Sequence, residues 1–266
     1  MEKKKHHILA VRRDDRFSPN SIENDRDILQ SVCRLLGKEI NMVDEALLSE
    51  ACDADVYLSM GRLPKTIRLL KFFEEQGAVV INSVHGVAAS VRCKLHETMR
   101  ANHISMPPSH GEHGYWLKRG DVAAQEEGDV VFCPDEDALV KAKSMFAARG
   151  IDDYVVSAHV PGDVVKFYGV GDRFFRYYYP SDDRRMKFSH ELVNGEAHHY
   201  SFDEWSLRHE VMRLAEIISL DVYGGDAIVD EAGRFYIIDF NDWPSFSRCR
   251  EEAANAIASL VKDRMK

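Results

Sequence analysis

The 266-residue sequence is short of cysteine pairs, of long apolar runs and of net positive charge, and each shortage argues against a class of function. Its five cysteines (Cys33, Cys52, Cys93, Cys133 and Cys249) are scattered, with no Cys-x-x-Cys pair. That pattern speaks against a disulfide framework or a cysteine zinc site, and for reduced thiols in the cytoplasm. Apolar runs such as Tyr236-Ile237-Ile238 are strand-length, far below the ~20 residues that span a bilayer. The formal charge of −9 leaves no general basic face for nucleic acid. The twelve histidines never adopt a His-Glu-x-x-His or other metal spacing. There is no Gly-x-x-x-x-Gly-Lys-Ser/Thr loop, and Gly169-Val170-Gly171 is not followed by the third glycine of a dinucleotide fingerprint. A Gly-x-Ser-x-Gly elbow, an internal repeat and a low-complexity linker are also missing.

What is present describes a globular chain of two or three lobes, 45% hydrophobic and 30% charged. Its first residues are basic and then briefly apolar, but the apolar part is too short for a signal peptide and is read as a first strand. Over residues 7–81, strands at His7–Val11, Glu39–Val43, Asp55–Met60 and Ala78–Ile81 alternate with helices at Ile22–Leu36 and Thr66–Gln76. This β-α-β order implies a small, largely parallel sheet. One helix is expected over Val84–Ala101. Strands at Tyr115–Arg119 and Asp129–Phe132, a helix at Asp135–Arg149 and a strand at Tyr154–Val160 form a compact middle unit. A hairpin of Val164–Val170 and Phe174–Tyr179 follows, then a polar loop over 181–204. An amphipathic helix at Asp203–Leu220, two strands and a helix at Arg248–Met265 complete the order. The expected divisions are 1–83, 84–160 and 161–266.

The most informative stretch is 223–244, Tyr-Gly-Gly-Asp-Ala-Ile-Val-Asp…Gly-Arg-Phe-Tyr-Ile-Ile-Asp-Phe-Asn-Asp-Trp-Pro. Asp239 and Asn241 stand two apart in an apolar strand and so share a face, while Asp226 comes from the preceding strand across a short turn. Two carboxylates and a carboxamide suit a Mg²⁺ ion whose other ligands are phosphate and water. Taken alone, the segment also fits a strand that ends in a turn. Lys94, Lys118 and Lys166 each sit beside apolar elements, where an ammonium needs an anionic partner or must reach solvent. Facing the acids, three such cations would suit a nucleoside triphosphate and a transferring phosphoryl group.

The order of elements and these residues resemble the ATP-grasp superfamily over most of the chain, best from about residue 82. The resemblance implies an ATP-grasp architecture: an N-terminal α/β domain, a small lid domain, and a C-terminal α+β domain, with ATP between the last two. Lys94 in Arg-Cys-Lys-Leu-His-Glu-Thr-Met-Arg and Lys118 in Trp-Leu-Lys-Arg match the family's phosphate-binding lysines. Val156-Ser157-Ala158-His159-Val160-Pro161-Gly162 matches the adenine hinge. There the backbone of Ala158 and Val160 would read the base, Ser157 replaces the usual Glu or Gln, and Asp163 would reach the ribose. Asp226, Asp239 and Asn241 match the metal ligands, although many ligases carry Glu where Asp239 stands. The lid loop 120–128 is acidic rather than glycine-rich, so Glu126 and Glu127 are expected to face solvent. Lys-Phe-Tyr-Gly-Val-Gly with Asp-Phe-Asn is also similar to the inositol polyphosphate kinase branch.

The resemblance implies an ATP- and Mg²⁺-dependent ligase joining a small carboxylate to an amine, or to a similar nucleophile, through an acyl phosphate. Lys166 would stabilise the transferring phosphoryl group. A kinase acting on a hydroxyl of a small polyol or phosphorylated metabolite uses the same site. A non-catalytic nucleotide-binding protein is the third reading. Arg184, Arg185 and Lys187 form a basic cluster that is either a solvated charge run or a contact for an anionic substrate. A homodimer through the N-terminal domain is a family-level expectation.

Overall fold

The computed structural model describes residues 6–37, 40–121, 128–183 and 193–266. The chain begins with a parallel sheet of β1 (Ile8–Arg12), β2 (Asn41–Asp44), β3 (Val56–Ser59) and β4 (Val79–Ile81), in the order β2-β1-β3-β4. Alternation along the strands divides the core. Ile8, Ala10, Val56 and Leu58 pack with Ile28, Leu29 and Val32 of α1 (Ile22–Leu36). Leu9, Val11 and Tyr57 pack with Leu70 and Phe73 of α2 (Pro64–Glu75) on the opposite face.

The helix expected over 84–101 is two helices, α3 (Val84–Ala89) and α4 (Arg92–Ala101). The break has a local cause. Ser90 Oγ donates to the Val87 carbonyl at 2.8 Å, and Val91 is extended (φ −59°, ψ 130°). A three-stranded antiparallel unit follows, in which β5 (Tyr115–Arg119) lies between β6 (Val130–Cys133) and β7 (Tyr154–Ala158). Helix α5 (Glu136–Ala148) covers it with Leu139, Ala142 and Phe146, and the Asp135 side chain caps its start by accepting from Ala138 N–H.

The third sheet is antiparallel, in the order β11-β10-β8-β9, from β8 (Asp163–Val170), β9 (Phe174–Tyr178), β10 (Val222–Val229) and β11 (Phe235–Asp242). One face packs on α6 (Glu204–Ile218) through Leu207, Val211, Leu214 and Ile218, the stripe that the sequence predicts. Part of the other face meets α7 (Arg250–Arg264). That helix packs Ala253, Ala254, Ile257 and Val261 into the same core as β1 and α1, so the expected division at residue 83 is not a division of cores.

Two polar devices fix the first sheet against the third. Buried Asn82 accepts from the Asp221 and Val222 N–H groups at 3.0 and 2.7 Å and donates to the Val222 carbonyl at 2.7 Å. Arg13 at the end of β1 is buried between Asp25 (3.3 Å) and Asp242 (3.5 Å), and it also donates to the Trp243 carbonyl. Asp242 is 2% exposed and pairs with Arg62 as well. No helix among the described residues is long and apolar enough to cross a membrane, and the five cysteines are free thiols.

Candidate active site

Three neighbouring strands place three charges in one row. Lys166 on β8 is opposite Asp226 on β10, and Asp226 is opposite Asp239 on β11. Directly opposed residues on one face of a sheet bring their Cβ atoms to about 4.5–5.5 Å, so the row is a consequence of register. Asn241, two residues on, shares the face, and its Nδ2 donates to Asp239 Oδ2 at 3.0 Å. The ladder slips between Asp226 and Ala227, leaving Ile238 as the extra residue on β11. Its carbonyl accepts instead from Lys118 Nζ on β5 at 3.0 Å, which brings the lid sheet onto the row. Gly225 permits this closeness, because a Cβ there would lie 2.1 Å from the Asp239 carbonyl oxygen.

The electrostatics favour an incoming anion. Lys166 Nζ is 3.2 Å from Asp226 Oδ1, close enough to be an ion pair but without hydrogen-bond geometry, so that buried oxygen has no hydrogen-bond donor among the described residues. Arg92 Nη2 is 3.7 Å from Asp239 Oδ1, its Nη1 donates to the Arg119 carbonyl at 2.5 Å, and its buried Nε has no hydrogen-bond partner among the described residues. Burial alone would raise the Asp239 carboxyl. Arg92, Lys118, the Asn241 amide and Lys166 together hold it below the ordinary carboxylate value. For Lys118, burial wins over the attraction of Asp239 and Asp226 and lowers its ammonium pKa. Three cations thus surround two carboxylates, in a chain whose overall charge is −9.

Among the sequence-predicted residues, Lys118, Lys166, Asp226, Asp239 and Asn241 come together. Lys94 does not join them. It is exposed and has no ion pair among the described residues, whereas Arg92 reaches Asp239. Two residues of helix are about 200° of rotation, so only one of the two can face the row.

Along the hinge, the Ala158 N–H already donates to the Pro108 carbonyl (2.7 Å), and the His159 N–H to the Gly114 carbonyl (2.8 Å). Ser157 is half-buried on β7 opposite Trp116, and Val160 lines a cavity. Asp163, the expected ribose contact, is engaged by backbone. It is 2% exposed, and its two oxygens accept from the His198 and Tyr200 N–H groups at 2.6 and 2.8 Å. A ribose contact would have to break that anchor. Arg184, Arg185, Lys187, Glu126 and Glu127 lie outside the described residues.

Two cavities lie along β11. One of about 780 Å³ is bounded by Ala158, His159 and Val160 of the hinge, Tyr236 of β11 and the β10–β11 turn. The other, about 300 Å³, lies beside Asp239, Asn241 and Arg92, against the N-terminal sheet's loops. The five residue steps of β11 from Tyr236 to Asn241 span about 17 Å, so the strand links the two cavities through the acids. Among the described residues, no group of three or more His, Cys, Asp or Glu side chains could hold a metal by itself.

No protein-family model matches the sequence, and no curated protein sequence does. Solved structures do. The D-alanine–D-alanine ligase from Coxiella burnetii superposes with a TM-score of 0.66 at 10% identity, over 98% of this chain and 96% of that one. A RimK domain ATP-grasp protein from Sphaerobacter thermophilus gives 0.62 at 18% identity, over 94% and 98%. The ATP-grasp ligase PsnB, in complex with a minimal precursor, gives 0.59 at 13% identity, over 97% and 99%. With its three sheets in this order and the acid row on the third, the chain has the ATP-grasp fold.

Proposed function

We propose that this protein is an ATP- and Mg²⁺-dependent ligase that activates a small carboxylate as an acyl phosphate and passes the acyl group to an amine. The observation that carries the reading is the Lys166–Asp226–Asp239 row with its unmatched Asp226 oxygen. A buried carboxylate oxygen without a donor is costly, and a hard cation removes that cost. Asp226, Asp239 and Asn241 are the residues that would hold Mg²⁺, with triphosphate oxygens supplying the ligands they lack. Bound there, Mg²⁺ neutralises phosphate charge and fixes the phosphate's orientation.

The base would lie in the hinge cavity against Ala158, Val160 and Tyr236. Lys118 binds phosphate oxygens from the lid side, and Arg92 faces the carboxylate that accepts the phosphoryl group. Lys166 neutralises the charge on the phosphoryl group in transfer. The balance is simple. A carboxylate oxygen forms a bond to the γ-phosphorus, the bond from that phosphorus to its bridging oxygen breaks, and ADP leaves. The amine nitrogen then attacks the acyl carbon, phosphate departs, and the amine proton goes to solvent. Two of the three structures compared above are named as ligases, which supports this class of reaction; nothing in the comparison speaks for a kinase.

Hydroxylamine provides the test. With ATP, Mg²⁺ and a turned-over acid it should yield a hydroxamate together with ADP. A stable phosphate ester with no hydroxamate would replace the ligase with a kinase.

A further inference from the structure

The smaller cavity carries information about the acid. Phe17, Pro64, Ile67, Val87, Val91 and Leu95 make most of its wall apolar, and its charged groups gather at the β11 end. Most of these are matched already, Arg62 with Asp242 and Asp121 with Arg119. Arg92 differs, because its buried Nε has no hydrogen-bond partner among the described residues. A guanidinium donor left unmatched under cover is completed by an anion. The volume of about 300 Å³ is at the lower end of small-molecule sites, which run to roughly 1,000 Å³. An apolar body with one unmet cationic donor, placed beside the acid row, complements an acid with one carboxylate and an apolar side chain.

We infer that the acid activated by this enzyme is a small monocarboxylate with an uncharged apolar side chain. Its carboxylate points to Arg92, and its side chain lies among Ile67, Val87 and Leu95. This rests on the carboxylate activation proposed above. A second charge on the side chain would meet apolar wall and stay unpaired, which selects against acidic and basic side chains. Each additional methylene that the wall covers should raise kcat/KM about fourfold.

The full chain is incubated with ATP, Mg²⁺, hydroxylamine and one acid at a time: glycine, alanine, valine, leucine, phenylalanine, glutamate and lysine. Hydroxamate formation should climb from alanine to leucine by that factor per methylene, and glutamate and lysine should lie at least tenfold below leucine. Val87→Phe fills the cavity and should reduce leucine turnover at least tenfold, with Mg·ATP affinity by calorimetry unchanged. Ile67→Ala enlarges it and should move the preference toward phenylalanine. Glutamate or lysine matching leucine, or a preference that neither variant alters, overturns the cavity assignment and leaves ATP-dependent activation standing. Mg·ATP binding without hydroxamate from any acid overturns the acyl phosphate itself, and this inference with it.

Discussion

Replacing Asp226 with Asn separates what the acid row costs from what it does. Asp226 Oδ1 is buried without a hydrogen-bond donor among the described residues, and its contact with Lys166 joins two partly exposed groups. An unmatched buried polar atom costs about 1–3 kcal/mol, while an ion pair this exposed contributes only about 0–1 kcal/mol. Asp226→Asn should therefore leave the free protein's thermal midpoint unchanged or raise it, by about 1 kcal/mol or roughly 2–4 °C for a chain of this size. The ligand response should change in the opposite sense. A non-hydrolysable Mg·ATP analogue at a hundred times its Kd stabilises the wild type by about 2.7 kcal/mol, or roughly 5–11 °C. The variant should lose most of that shift. Scanning fluorimetry with and without analogue, in Mg²⁺ and in EDTA, reads both quantities. A variant clearly less stable without ligand, or one that keeps the full Mg²⁺-dependent shift, would refute the reasoning.

Three further outcomes follow from the same contacts. Asp242→Asn leaves Arg13 and Arg62 without their shared buried carboxylate and should cost about 3 kcal/mol, seen as a fall in midpoint of roughly 6–12 °C; Asp15→Asn, in an exposed pair, should cost under about 1 kcal/mol. Asn82→Ala strips partners from the Asp221 and Val222 N–H groups and the Val222 carbonyl, for about 3 kcal/mol, and limited proteolysis should speed up near residue 82. The Asp239 carboxyl is held below its ordinary value of 3.8 in the folded protein. Its contribution to stability is thus fully present above that value and disappears as pH falls through the lower folded one. The midpoint difference between wild type and Asp239→Asn should therefore shrink as pH is taken from 7 to below 3, and a constant difference would contradict the assigned ionisation.

The parts of the site that could be read from sequence are those that local periodicity encodes. Asp239 and Asn241 had to share a face because they lie two apart in a strand, and α6 buries the leucine and valine stripe that its 3.6-residue period predicts. The parts that could not be read depend on rotation or distance. Arg92 and Lys94 stand on either side of Cys93 at the start of one helix, and only the break at Ser90 and Val91 sets which cation turns toward Asp239. Asp163 sits at the expected place in the hinge, but its carboxylate is engaged by backbone 35 and 37 residues away. Arg13 and Asp242 are 229 positions apart, and no pattern in either neighbourhood announces the other.

The packing of α7 on α1 also has a consequence for synthesis. Residues 8–81 look self-contained as a string of alternating strands and helices, yet one side of their core is made of Ala253, Ala254, Ile257 and Val261. While the ribosome is still making the lid, α1 covers that side of the sheet but has no α7 to lie against. The outer side of α1 must wait for the last helix, so the core that it shares with α7 closes late. A nascent chain halted before residue 250 should leave apolar surface of α1 open to whatever binds it.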